Sequence, residues 1–249
     1  MSGHSKWSSI KHKKGAADAK RGKLFSKLAR AIIVAARDGG GDIDGNPTLA
    51  TAVQKAKDAS MPKENIQRAI DRGTGASADA AAIEQVSFEG YGPGGAAILV
   101  EALTDNRNRT TADVRLAFTK HEGSLGEPGS VAWIFEKRGV VTVDGARYGE
   151  DDVIAAIDAG AEDVREDGDE LRVLCQPGNL SAVREALEGA GVEIQSATIA
   201  TEPKSTVEVK GHDAERLLKL LDDLDDQDDV DEVFANFDIP EDVLEKLAA

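Results

Sequence analysis

Residues 140–199 read VVTVDGARYGEDDVIAAIDAGAEDVREDGDELRVLCQPGNLSAVREALEGAGVEIQSATI. Hydrophobic periodicity and turn residues divide this stretch into six pieces. Residues 140–143, 162–165, 171–175 and 192–199 read as strands, and residues 151–158 and 180–188 as helices. Strand, helix, strand, strand, helix, strand is the split βαβ order of a ferredoxin-like unit. The fold class that follows is multidomain α+β.

The pieces on either side lie outside that unit. Upstream, residues 83–89 and 96–103 are β-runs joined by Gly90-Tyr91-Gly92-Pro93-Gly94-Gly95, which reads as a hairpin. A helix at 110–121 and a strand at 131–136 follow. Downstream come a strand at 206–209, a helix from Asp213 to about Leu224, a strand at 230–237 and a last helix after Pro240. These downstream pieces need a partner sheet, and the economical arrangement completes the sheet begun upstream. The expected division is a discontinuous middle α+β domain of residues 83–137 and 204–249, with residues 138–203 as a ferredoxin-like insertion.

Residues 16–37 read as a two-faced helix, with Lys23, Lys27, Arg30 and Arg37 within about 100° of Lys20 and Leu24, Phe25, Leu28 and Ile32 opposite. Gly39, Gly40 and Gly41 stop it. Asn46-Pro47 has the character of an N-cap and first helical position for a second helix running to about Ser60, which Met61 and Pro62 break. A third helix, residues 63–72, ends at Gly73. Residues 1–75 are thus expected to form a basic three-helix domain, and the small residues at 76–82 a linker.

A net charge of -16 argues against nucleic-acid binding when read as one number. Its distribution argues the other way. Residues 1–75 hold 15 lysines and arginines against seven acids, a net of +8, and residues 76–249 carry -24. Such a division suggests that one part meets a polyanion and the other does not. The longest uncharged apolar run near the start, residues 31–36, is far short of the roughly 20 residues of a spanning helix. Lys20, Arg21, Lys23 and Lys27 interrupt any secretory h-region. The single cysteine, Cys175, excludes an intrachain disulfide and a Cys-rich zinc site and fits a reducing compartment, so a cytoplasmic protein without a membrane partner is expected.

Signatures of catalysis are missing. His4, His12, His121 and His212 form no HExxH pair, and neither a GxSxG elbow nor a Walker lysine loop occurs. Asp42-Ile43-Asp44-Gly45-Asn46 imitates a calcium loop, but Pro47 and Val53 stand where glycine and glutamate are required, so it reads as a helix cap. Cys175 falls in a predicted strand, where a small buried apolar role suits it. Residues 222–232 hold eight carboxylates in eleven positions and read as a solvated helix end and loop that repels phosphate and suits basic protein partners. The expectation is no enzyme, no cofactor and no metal.

Three places fit nucleic acid. In Ser5-Lys6-Trp7-Ser8-Ser9-Ile10-Lys11-His12-Lys13-Lys14, cations surround one aromatic able to stack on a base. The stripe of Lys20, Lys23, Lys27 and Arg30 is the second, with a solvated helix face as its plain alternative. The third is Asp105-Asn106-Arg107-Asn108-Arg109-Thr110, a strand-to-helix junction where free backbone amides with Arg107 and Arg109 would hold a phosphate. Capping by Asn108 or Thr110 accounts for part of it without a ligand.

Four motifs together resemble the YebC family. They are the opening Met1-Ser2-Gly3-His4-Ser5-Lys6-Trp7 with Ile10-Lys11-His12-Lys13, Met61-Pro62-Lys63-Glu64-Asn65-Ile66 with Ala69-Ile70, Tyr91-Gly92-Pro93-Gly94-Gly95, and the junction from Asp105 to Thr110. The resemblance spans essentially the whole chain. It implies three domains, the last two α+β, and a native start at Met1, which disposes of a transit-peptide reading of the basic N terminus. It further implies a DNA-binding transcriptional regulator, or, through the mitochondrial and bacterial relatives, a ribosome-associated translation factor acting at proline-rich stretches. One departure stands out: Glu122-Gly123-Ser124 occupies a place where the family pattern has Gly-Gly-Asn, which puts phosphate contact by residues 121–130 in doubt.

The expectation is therefore a non-enzymatic nucleic-acid-binding regulator of gene expression, contacting duplex DNA or ribosomal RNA through Lys6, Trp7, Lys11, His12, Lys13, Lys14, Lys20, Lys23, Lys27, Arg30, Arg107 and Arg109. The charge layout leans towards the ribosome, with a protein adaptor as the remote alternative.

Overall fold

The computed structural model describes residues 18–75 and 83–239, with side chains from Gly22 onward in the first of these segments. The arm from Lys6 to Lys14, the side chain of Lys20, the linker at 76–82 and the helix expected after Pro240 lie outside the described residues.

Among the described residues, three helices come first: α1 (Asp18–Gly39), α2 (Pro47–Asp58) and α3 (Lys63–Gly73). Asn46 caps α2 as expected, its side chain accepting from the Leu49 N–H and donating to the Ala35 and Gly40 carbonyls. α2 closes in a Schellman turn: Met61 N–H reaches the Ala56 carbonyl, Ser60 N–H the Lys57 carbonyl, and Ser60 takes φ 60°. Gly73 lets the end of α3 pass against the backbone of α1 at Ile33, where a side chain would collide with the carbonyl. Ile32, Ala36, Leu49, Val53, Ala56, Ile66 and Ile70 form the core. Leu24, expected on the inner face of α1, is exposed, because it precedes the part of α1 that this core covers.

The first sheet has the order β3-β1-β2-β9, from β1 (Glu84–Tyr91), β2 (Ala97–Thr104), β3 (Ser124–Leu125) and β9 (Val230–Ala235). β9 lies antiparallel beside β2, so chain from near the end completes a sheet begun at residue 84. One face packs on α4 (Arg107–Lys120) and α7 (Gly211–Asp225), whose Ala214, Leu217, Leu220, Leu221 and Leu224 are all buried. On the other face, Leu99 meets Val131, Ile134 and Phe135, while Leu103 joins Ile83 in the core of the helical unit. The three helices are thus seated on this sheet.

The second sheet, of order β5-β6-β4-β7, is made by β4 (Phe135–Asp144), β5 (Ala161–Asp167), β6 (Glu170–Cys175) and β7 (Ile194–Pro203). All its pairings are antiparallel, and α5 (Ala155–Asp158) and α6 (Leu180–Gly189) cover one face. This is the ferredoxin-like arrangement read from residues 140–199.

Four local expectations need correction. Of the strand foreseen at 131–136, residues 132–134 form a 3-10 turn, and the remainder runs on through the strand foreseen at 140–143 as one ten-residue strand, β4. Lys137-Arg138-Gly139 looked like a break, but Arg138 pairs with Glu136 and Glu162 and Gly139 packs on Cys175, so the strand runs through. The helix foreseen at 151–158 is a 3-10 turn at Glu150–Val153 followed by the four-residue α5. The strand foreseen at 206–209 does not join the first sheet, whose edge beside β2 is taken by β9. Instead β8 (Val207–Glu208) pairs in parallel with β10 (Phe237–Asp238). Finally, α4 begins at Arg107, three residues early, because the cap is Asn106 rather than Asn108 or Thr110.

Candidate nucleic-acid interface

Lys23, Lys27 and Arg30 stand at i, i+4 and i+7 on α1 and share one face. That face meets the C-terminal end of α7. The last carbonyls of a helix lack internal partners and carry the negative pole of its dipole. α7 has no basic residue in its last turn and instead ends in Asp222, Asp223 and Asp225, the wrong sign for that pole. α1 supplies the missing cations. Lys23 Nζ donates to the Asp226 carbonyl at 3.2 Å, Lys27 Nζ to the Asp225 carbonyl and Arg30 to the Asp228 carbonyl. The Lys27 ammonium is also 3.8 Å from the Asp225 carboxylate and keeps 13% of its side-chain exposure.

Asp229 is the hub beneath this contact. Its carboxylate is 7% exposed, with one oxygen 3.3 Å from the Arg30 guanidinium. The other accepts from Arg109 at 2.6 Å, Thr110 Oγ1 at 2.8 Å and Thr104 Oγ1 at 3.1 Å. Burial pushes this carboxyl upward, but the bonds from Arg109 and Thr110 and the nearby charges of Arg30 and Arg109 outweigh it and hold it below the usual carboxylate range. Arg109, also 2.9 Å from Asp105, has its pKa raised by these bonds, that with Asp229 first. Helix α1, the start of α4 and residues 226–229 line a cleft of about 580 Å³.

A second contact lies alongside. Lys55 of α2 is 2.8 Å from Glu232 of β9, and Glu232 faces Glu101 of β2 directly in the antiparallel register, with Asp231 in the bulge beside them. Like charges opposite one another destabilise a sheet. Burial, then Glu232 and Glu101, push the Asp231 carboxyl up to about 6 against the pull of Lys55 and Lys27.

Of the residues singled out in the sequence, the structure brings together Lys23, Lys27, Arg30 and Arg109, all of them around residues 225–229. Arg107 is exposed at the start of α4, away from these bonds. The acidic run, expected to be solvated and to meet other proteins, meets α1 of its own chain, because opposite charge and an uncapped helix end attract there. Glu122, the residue that departs from the family pattern, sits at φ 60° and is paired with Arg216 of α7. Sequence reasoning missed Thr104, and it missed that Asp229 of the acidic run is held by Arg30, Arg109 and Thr110. The available signal was the coexistence of a helix with an acidic, uncapped end and a helix with a cationic stripe.

Comparison with known proteins agrees with the architecture. Residues 5–76 match the model for the TACO1/YebC protein N-terminal domain, and residues 83–237 that for the TACO1/YebC second and third domain. A protein of Rubrobacter xylanophilus named "Probable transcriptional regulatory protein" is 57% identical over 249 residues, with all of both chains covered. One of the same name from Dictyoglomus thermophilum is 53% identical, again over the whole of both chains. The crystal structure of a conserved hypothetical protein of Aquifex aeolicus matches with TM-score 0.77 and 48% identity, over 91% of this chain and 94% of that one. Matched along nearly its whole length and more than half identical to such relatives, the chain belongs to the TACO1/YebC family.

Proposed function

We propose that the chain is a non-enzymatic, nucleic-acid-binding regulator of gene expression that meets phosphate through its basic N-terminal segment. The observation that carries this reading is the alignment of Lys23, Lys27 and Arg30, which converge on a row of oxygens. A line of cations able to hold carbonyl and carboxylate oxygens has the chemistry to hold phosphate oxygens. Lys6, Trp7, Lys11, His12, Lys13, Lys14 and Lys20 continue the basic run in the sequence ahead of this stripe, and Arg107 adds an exposed cation at the start of α4. Arg109 joins only by leaving Asp105 and Asp229. The names of the relatives favour transcription, a role for which duplex DNA is the partner this reading takes.

The charge layout supports a second reading. A remainder carrying -24 is repelled by a bare duplex but suits the basic proteins that coat ribosomal RNA. Under either reading the protein acts in the cytoplasm, and the unit of residues 1–75 makes the contact. The discontinuous unit of 83–137 and 204–249 and the insertion of 138–203 then face other partners. Crosslinking in cells followed by sequencing of everything attached separates the readings. Promoter DNA without ribosomal RNA establishes the first and the converse the second, while neither leaves an adaptor role.

A further inference from the structure

We infer that the seating of α1 on the end of α7 is an electrostatic latch, in which Lys23, Lys27 and Arg30 hold either the phosphodiester backbone of a nucleic acid or the oxygens of residues 225–229, never both. This rests on the proposed reading of the basic segment as a phosphate-binding surface and says what regulates it.

The geometry makes the two occupants exclusive. Lys27 is mostly covered, and both its carbonyl bond and its approach to Asp225 draw on the one ammonium a phosphate requires. Arg30 is divided between the Asp228 carbonyl and the Asp229 carboxylate, which leaves its fork engaged on two sides. The end of α7 presents what a phosphate backbone presents, a row of acceptor oxygens at the spacing of the stripe: the carbonyls of Asp225, Asp226 and Asp228 with the carboxylates of Asp225 and Asp229 beside them. Residues 225–229 thus imitate the ligand from within the chain. Opening exposes the uncapped carbonyls of α7 and the acids around them, so the closed form is favoured until a polyanion replaces them.

The contacts that close the latch are few and partly solvated. Ion pairs of this kind contribute little each and weaken with salt, which suits a contact that opens. The apolar seat of the helical unit, Ile83 with Leu103, holds it on the sheet independently of these ion pairs, and the Leu103 N–H fixes the Asp229 carbonyl at 2.8 Å, so the acidic side of the latch stays in place when the stripe changes occupant.

The test removes the negative charge around the inner ligand and leaves its backbone carbonyls in place. The triple variant Asp225→Asn, Asp226→Asn, Asp228→Asn is compared with Asp151→Asn, Glu166→Gln, Glu185→Gln, which removes the same number of charges from exposed positions elsewhere. Binding is measured to a mixed-sequence duplex DNA and to a duplex RNA, the two arms distinguishing the source of the phosphate. The latch triple is expected to bind about tenfold more tightly than the control triple, as for a surface withheld in about nine-tenths of molecules. A second readout uses the unaltered chain: a carbodiimide links Lys27 to Asp225, and this link is expected to disappear at saturating nucleic acid, while the Lys120 to Asp223 link, between groups 2.6 Å apart on α4 and α7, persists. Equal affinities for the two triples, or a Lys27 to Asp225 link that survives saturation, would overturn the latch and leave the binding reading intact. Absence of binding by every protein, the latch triple included, would remove the binding reading itself and the latch with it.

Discussion

Arg30 of α1 lies 3.3 Å from the carboxylate of Asp229, joining the basic segment of the chain to the centre of its acidic run. Asp229 is buried while Arg30 and Arg109 keep 26% and 47% of their side-chain exposure. Deleting the acid therefore leaves cations that water can reach, which softens the usual penalty for a broken buried pair. Asp229→Asn is expected to lower the unfolding free energy at neutral pH by about 2 kcal/mol, measured by denaturant titration. Because the folded-state pKa is depressed, the contribution of Asp229 is fully present above the unfolded value near 3.9 and is lost as pH falls through the folded value. The variant's stability should fall less steeply on acidification, and a parallel fall would contradict the assignment.

Asp231, two residues on, behaves in the opposite sense. Its carboxyl is pushed up to about 6 by burial and by Glu232 and Glu101, with Lys55 and Lys27 opposing. The folded chain binds this proton more tightly than the unfolded chain, so the contribution of Asp231 to stability declines as pH rises from about 4 to about 6. Asp231→Asn is expected to remove this decline and to raise stability at pH 7.5, by at most about 3 kcal/mol. Thermal midpoints of both proteins across this range check it, and a variant less stable than the parent at pH 7.5 counts against the account.

Glu89 organises the loop after β3. Its carboxylate accepts from the N–H groups of Gly129, Val131 and Ala132 at 2.6 to 2.7 Å. Burial raises its pKa and the three bonds lower it, with the bonds prevailing. Glu89→Gln places an amide NH2 against backbone donors and is expected to cost about 2 kcal/mol. Hydrogen exchange should report the damage at residues 126–132, and protection retained there would show the bonds to be dispensable.

Among the described residues, two other than glycine sit at φ 60°, Ser60 and Glu122. Left-handed geometry costs an L-residue about 1–2 kcal/mol, and glycine returns roughly half of that gain as unfolded-state entropy. Ser60→Gly should therefore stabilise the chain by about 0.5 kcal/mol. Glu122→Gly also forfeits its pair with Arg216 and should be close to neutral. Calorimetry of the two variants tests the difference, and a destabilised Ser60→Gly would contradict the Schellman reading of α2.

The ferredoxin-like unit was legible because each of its elements has its own apolar period, as in Leu171 to Cys175 or Val183 with Leu187. β4 was not, since Lys137 and Arg138 break the pattern where Glu136 and Glu162 neutralise Arg138 across space. The pairing of β9 with β2 followed from the need of residues 230–237 for a sheet, whereas the parallel β8 and β10 pair, only two residues a strand, left no pattern to read. For the candidate site, charge along the chain located Lys23, Lys27 and Arg30 but not what faces them. Periodicity gives the direction of a side chain on its own helix. It does not give the partner across a long loop, and Asp229 was hidden among eight carboxylates of the same type.

The central claim is that the basic segment holds phosphate. Equilibrium binding of the intact chain to duplex DNA and to duplex RNA over a series of salt concentrations tests it most directly, beside a variant with Lys11, Lys13 and Lys14 changed to Glu. Lys11, Lys13 and Lys14 precede α1 in the sequence, and the variant leaves Lys23, Lys27 and Arg30 unchanged, so it probes binding and not the latch. The account predicts that log affinity falls linearly with log salt, with a slope of about 0.9 for each DNA phosphate contacted, and that the variant flattens that slope while its folding is unchanged. Affinity indifferent to salt, or a slope the same in both proteins, would contradict it.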